Sequence, residues 1–285
     1  MVCWASSFPT LRFALQEYEA GPLVLLRFFF SSAVLAVFAL AVRMPLPALR
    51  DWPVLFFFGM TGMGLSSAAL TYGMRTVGAG AGSFLVGMIP VFSALWARLF
   101  LGERLVLLGW LGIAVSFAGV GLIGIGEGEG LSLNPGAALV VASAFLQSVF
   151  YVGQKPYLRR YSALQITCFA VWSGTLSMAW FLPQVPAAVA AAAPARTIAV
   201  GLLGIFPNGL AFAAWSFALS RARAAHVTSA MYVMPAMALT IAFFWLGEVP
   251  SFLTVVGGVV ALAGVVLLNL WGAGAPAAIL PARGK

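Results

Sequence analysis

Polar side chains inside long apolar stretches are scarce in this chain, so each is a candidate for chemistry. Ser143, Gln147 and Tyr151 stand four residues apart and draw one polar stripe along a helix. Gln and Tyr together can stack on and hydrogen-bond a small solute, and the same stripe can equally tie one helix to another. Asn208 lies mid-stretch with Trp215 seven residues on, on the same helical face. A buried amide must find a partner, here either a neighbouring helix or a ligand. His226, Ser229 and Tyr232 lead up to Pro235, whose earlier counterpart is Pro90. Each proline removes a helix hydrogen bond and leaves a free carbonyl and a place to bend, as a hinge or as a packed kink. His226, the only histidine, follows Arg221 and Arg223 at the end of its stretch and reads as a solvated interfacial group rather than a proton carrier.

Arg27 sits some six residues inside its stretch, so its side chain has about 9 Å to cover to the interface. Interfacial anchoring is the first reading, and meeting a carboxylate on a solute is the second. Glu103 and Glu248 each follow Leu-Gly at a stretch end. They read as gates that pair with an arginine or a helix end in one state and release it in another, or as terminal acids that fix a tight turn. Trp4, Tyr72, Tyr151, Trp215 and Tyr232 share faces with the central polar groups. Together with Ser7 and Met88 they form an expected cavity lining suited to aromatic or aliphatic side chains.

The absences narrow the chemistry. No Asp or Glu lies in the interior of an apolar stretch, which argues against a carboxylate proton relay and for a neutral or zwitterionic substrate. Cys3 and Cys168 are both in apolar surroundings and read as packing residues, with no disulfide, metal site or cofactor implied. An intramembrane enzyme would need a nucleophile with its base, or clustered His and carboxylates, and one terminal His serves neither. Gly119, Gly121 and Gly124 spell GxGxxG, but no strand precedes them; they read as close-approach or sliding positions between helices, as do Gly78, Gly80 and Gly82.

The elements that must position these groups follow from composition. Of 285 residues, 62% are apolar and 8% charged, which excludes a soluble globular enzyme. Eight stretches without Asp, Glu, Lys or Arg run over 52–74, 76–97, 105–126, 130–154, 161–195, 197–220, 224–247 and 249–282, each long enough to span a bilayer as a helix. Two more precede them, 22–42 with Arg27 and 1–16, the latter read as the second half of a span. The period-two alternation of a membrane β-barrel is missing. The expectation is an all-α integral membrane protein of ten transmembrane helices. With the amino end inside, eleven basic residues fall on the cytoplasmic side, and outside stand Arg12, Arg75 and Arg196 with five acids, Glu17, Glu19, Glu127, Glu129 and Glu248. Both termini are then cytoplasmic, and the net charge of +8 answers an anionic leaflet rather than a nucleic acid.

Sliding the chain on itself by 145 residues aligns Gly59 with Gly204, Gly64 with Gly209, Pro90 with Pro235, Leu101-Gly102-Glu103 with Leu246-Gly247-Glu248, Gly112 with Gly257 and Gly119 with Gly264. Five spans per copy make the repeat inverted, with a central cavity between the copies. The expected division is 1–126 and 134–271, with a cytoplasmic tail 272–285.

These residues, from Trp4 to Pro9, Arg27, Pro90 and the two Leu-Gly-Glu turns, resemble the EamA-like family of the drug/metabolite transporter superfamily. The resemblance covers nearly the whole chain. It implies ten helices around a central cavity and export of small metabolites, amino acids included, across a bacterial inner membrane by alternating access. The small multidrug resistance branch of that superfamily carries an intramembrane carboxylate that this chain lacks. A sugar-phosphate or nucleotide-sugar exchanger is the alternative, although it would need several cations around the cavity where only Arg27 is at hand. The partners expected are a small-molecule substrate and lipid, with the protein a monomer or weak dimer.

Overall fold

A computed structural model describes residues 1–102, 105–128, 134–212, 214 and 233–272, and regular structure among them is helical throughout. The helices are α1 (Val2–Ala14), α2 (Ala20–Ala41), α3 (Trp52–Gly59), α4 (Ser66–Gly73), α5 (Ala79–Val86), α6 (Ile89–Leu101), α7 (Leu107–Gly126), α8 (Pro135–Gly153), α9 (Ala163–Ser177), α10 (Val185–Ala191), α11 (Pro194–Leu203), α12 (Met234–Leu246) and α13 (Phe252–Trp271). By length and composition six segments can cross a membrane: Ala20–Ala41, Leu49–Gly73, Ala79–Phe100, Leu107–Gly126, Pro135–Arg159 and Phe252–Trp271. A seventh is the pair Ala163–Ser177 and Ala179–Ala191, bent by 57°. The stretch 161–195 is therefore not one straight helix. Its chain loosens into a 3-10 turn over Ala179–Gln184 that contains Pro183, and Pro186 opens α10. Where 1–16, 197–220 and 224–247 were expected to span, the described residues hold the shorter α1, α11 and α12.

Local sequence explains where the helices start. Asn134 caps α8, accepting from the Gly136 amide at 2.7 Å ahead of Pro135 at the first helical position. Ser162 and Gln165 form a reciprocal capping box on α9, and Ser251 caps α13. Just before Pro90 the helix is interrupted at Gly87 and Met88, so that one span holds two pieces, α5 and α6, and Pro235 stands at the matching start of α12. Both α6 and α12 end on a glycine, Gly102 and Gly247, each at φ 67°, a left-handed cap that other residues adopt at a cost.

Two irregularities were not expected. α3 passes into α4 through a π-helical turn, Met60–Leu65, and α11 runs into a second one, Gly204–Leu210, which contains Pro207. They end 145 residues apart, the offset of the sequence repeat.

The helices α7 and α13 pack antiparallel along a seam of glycines. A methyl group on Gly112 would stand 2.7 Å from the Gly264 carbonyl oxygen, and one on Gly119 2.5 Å from that of Gly257. The reverse contacts are equally tight, Gly264 onto Gly112 at 2.5 Å and Gly257 onto Gly119 at 2.7 Å. Between them Ser116 donates to the carbonyl of Ala261, its own repeat mate, at 3.2 Å. Backbone meets backbone here, the close approach that small residues permit in a membrane. Gly121, by contrast, has open space at its Cβ position and takes no part.

Candidate functional site

A cavity of about 850 Å3, counted with its open mouth, lies among α1, α2, α8 and the two π turns. The first π turn and the start of α4 bring Met63, Ser66 and Ser67 to its wall; the second brings Pro207 and Asn208, followed by Phe212. The break between α5 and α6 adds Val86 and Ile89, and Met234 comes from the start of α12. Three pairs of wall residues stand 145 apart: Met63 and Asn208, Ser67 and Phe212, Ile89 and Met234. The cavity is thus built where helices are irregular, and π turns often mark functional positions.

Of the residues expected to line it, the structure brings together Trp4, Ser7, Gln147, Tyr151, Asn208 and Arg27, with Ser143 beside them. Trp4 donates its indole N–H to the Pro207 carbonyl at 2.9 Å and meets the Phe212 ring edge-on at 5.3 Å. This contact ties α1 to the second π turn. Gln147 donates from Nε2 to the Tyr151 hydroxyl at 3.3 Å, so the stripe on α8 is internally bonded and still faces the cavity. Ser7 and Ser143 return their hydroxyls to carbonyls one turn back, of Trp4 and Val140. Arg27 does not snorkel to an interface: it is 4% exposed and lines the cavity, its guanidinium carbon 5.9 Å from the Phe28 ring centre. Two wall atoms, Arg27 Nε and Asn208 Nδ2, are buried with no hydrogen-bond partner.

Two expected lining residues are elsewhere. Tyr72 is 39% exposed, because it follows Leu70, a wall residue, by two positions and so points about 200° round the helix. Met88 is fully buried, packed with Val91, Phe92, Ile113, Ala144 and Val265 behind the wall that its neighbour Ile89 forms. Trp215, Tyr232, Glu103 and His226 lie outside the described residues. Among the wall residues the sequence did not suggest, Met63, Ser66, Pro207 and Phe212 carried one legible signal, the repeat glycines Gly59, Gly64, Gly204 and Gly209 beside them, and Phe28 carried none.

Glu248 is not confined to its own turn. One carboxylate oxygen accepts from Arg12 Nε at 3.0 Å, and the other accepts from the Ala79 amide at the start of α5 at 2.7 Å. Arg12 also donates from one Nη to the carbonyls of Met74 and Arg75. Glu127 completes the cluster, accepting from the Gly78 amide at 2.8 Å and the Thr254 hydroxyl at 2.9 Å. Two carboxylates at the N-terminus of α5 suit its positive end. A second tie at the same end joins Arg196 to Glu17 at 3.7 Å. At the opposite end Asp51 accepts from Tyr161 at 2.5 Å and from Arg160 at 3.3 Å, and the bond to the carboxylate raises Tyr161 above the ordinary tyrosine value.

The model of the EamA-like transporter family matches the chain twice, over residues 1–125 and 134–270. The chain belongs to the EamA-like transporter family. A relative from Streptantibioticus cattleyicolor, named a probable terminal-alkyne amino-acid exporter, is 38% identical over 94% of this chain and 90% of its own. The transporter YdfC of Bacillus subtilis is 36% identical over 92% of this chain and 86% of its own. A crystal structure at 22% identity aligns over 94% of this chain and 93% of that one with a TM-score of 0.65, so the fold is shared. With its apolar helices, this family membership makes the chain a multi-pass membrane transporter.

Proposed function

We propose that the protein is a secondary transporter of a bacterial inner membrane that exports small metabolites, amino acids first among them, with both termini cytoplasmic. In this reading ten helices form two inverted five-helix repeats, 1–126 and 134–271, which rock about the cavity. The observation that carries it is the cavity wall itself: residues 145 apart in sequence face one space, at helix breaks that also recur at that offset. The Ser116–Ala261 contact at the centre of an antiparallel seam supports the same half-turn relation. The name of the Streptantibioticus cattleyicolor relative supports an amino acid as cargo. Pro90 and Pro235 serve as hinges, and the Arg12–Glu248 tie as a gate on the outer face.

The test is solute counterflow in proteoliposomes, with labelled amino acids, internal excess of the same compound and no ion gradient. Accumulation of one class is the expected result. Accumulation of phosphorylated sugars alone would replace this reading with the exchanger, and no counterflow of any solute by folded protein would remove it.

A further inference from the structure

Among the described residues Arg27 is the one basic residue of the cavity wall, and no Asp or Glu of those residues lines it. Its Nε is buried without a partner, and among the described residues no carboxylate lies within ion-pair distance of the guanidinium. The Phe28 ring, at 5.9 Å, is at the outer limit of a cation–π contact and supplies no acceptor. A charge in that position demands an anionic partner. Asn208 Nδ2 is a second unpartnered donor on the same wall. The backbones that carry the two are locked together, since a Cβ on Gly204, at the start of the second π turn, would collide with the Arg27 carbonyl.

We propose that Arg27 and Asn208 form the carboxylate subsite of the cavity, which takes small monocarboxylates with an apolar or aromatic body, amino acids among them, and rejects the same bodies lacking the carboxylate. This deepens the transporter reading and rests on it for the cavity's being a substrate site. The planar guanidinium offers two oxygens a side-on fork, and the amide adds a donor. Trp4, Phe28, Met63, Phe212 and Met234 then receive the body. The repeat mate of Asn208 is Met63, so the donor exists on one side only and the solute is held in one orientation. A phosphate dianion would call for further cations, and a free amine would face the guanidinium with no acid to offset it.

Thermal stabilisation of the purified full chain, titrated with phenylalanine, 3-phenylpropionate and 2-phenylethylamine, separates these chemistries, with the matching trio built on norleucine as a second body. Both carboxylates of at least one trio stabilise the protein, and the amine does so at least about tenfold more weakly. Arg27→Gln weakens carboxylate binding about tenfold or more and leaves the amine equal or stronger, since the repelling charge is gone; Arg27→Lys and Asn208→Ala weaken carboxylate binding less, and no variant weakens the amine. Should the Gln variant fail to elute as folded protein, the Lys and Ala variants carry the test. Equal binding of amine and carboxylate, unchanged binding in the variants, or no carboxylate binding to folded protein in either trio overturns the subsite. Counterflow of phenylalanine distinguishes the two claims. Arg27-dependent binding without counterflow of any solute removes the transporter reading and leaves the subsite, whereas counterflow indifferent to Arg27 and Asn208 does the reverse.

Discussion

Trp4 does two things at once: its ring forms part of the cavity wall, and its indole N–H holds the carbonyl of Pro207 inside the second π turn. Trp4→Phe keeps an aromatic ring and deletes the hydrogen bond, a loss on the order of 1 kcal/mol at a part-buried site. The expected outcome is folded protein with a several-fold higher KM in counterflow, because the turn that carries Asn208 loses its anchor. Tyr72→Ala is expected to leave the same KM unchanged, since that ring points away from the cavity. The contrast shows what single residues disclosed. The stripe of Ser143, Gln147 and Tyr151 was readable because α8 is a regular helix, so spacing converts directly into a face. Met88 and Tyr72 were misplaced because a helix interruption and a π turn intervene, and each resets the helical phase without any change in composition. Arg27 was misjudged for another reason. Whether its side chain turns to lipid or inward depends on neighbouring helices that one stretch does not specify.

Among elements, the π turns and the glycine seam divide the labour. The turns open helices where the cavity needs donors and shape, and the seam closes α7 against α13 with no side chains between. Gly119→Leu forces a large side chain against the Gly257 carbonyl and should destabilise the protein by roughly 1–3 kcal/mol, as overpacking does. The check is a lowered melting temperature in detergent. Gly121→Leu, with open space before it, should leave melting unchanged. Pro90→Ala tests the break between α5 and α6 differently. Restoring an amide donor lets the helix straighten, so the expected result is equal or higher thermal stability with a lower maximal counterflow rate. The seam was legible as glycines at a constant offset, and the hinge positions as prolines. The π turns were not, because an extra residue in a turn calls for no particular side chain, and a shift of helical phase is invisible where nearly every position is apolar.

For the molecule as a whole, the cluster of Arg12, Glu248, Glu127 and the α5 N-terminus ties the first helix to the last two at one end. Both members of the ion pair are partly exposed, at 30% and 24%, so its worth lies in choosing between states more than in stability. Glu248→Gln should shift the population toward the state open at that end. A single cysteine in place of Ser66, labelled by an impermeant reagent from outside, should then react faster, and Arg12→Glu combined with Glu248→Arg should return the rate toward the starting value. Unchanged labelling in Glu248→Gln would show that the tie is structural. The bias of arginines to one side was visible in sequence as a sum over loops, but which arginine meets which acid required the helices to be placed.

The seam has one more consequence. A helix pair that meets through the same glycines after a half-turn does not by itself distinguish one face of the membrane from the other. In the proposed arrangement, which face looks into the cell follows from the arginines in the loops, Arg43, Arg50, Arg159 and Arg160 at one end against Arg12, Arg75 and Arg196 at the other. Moving a few of those charges would turn the whole molecule over with its packing intact, and the direction of the traffic it carries would be inherited from the gradient rather than from the fold.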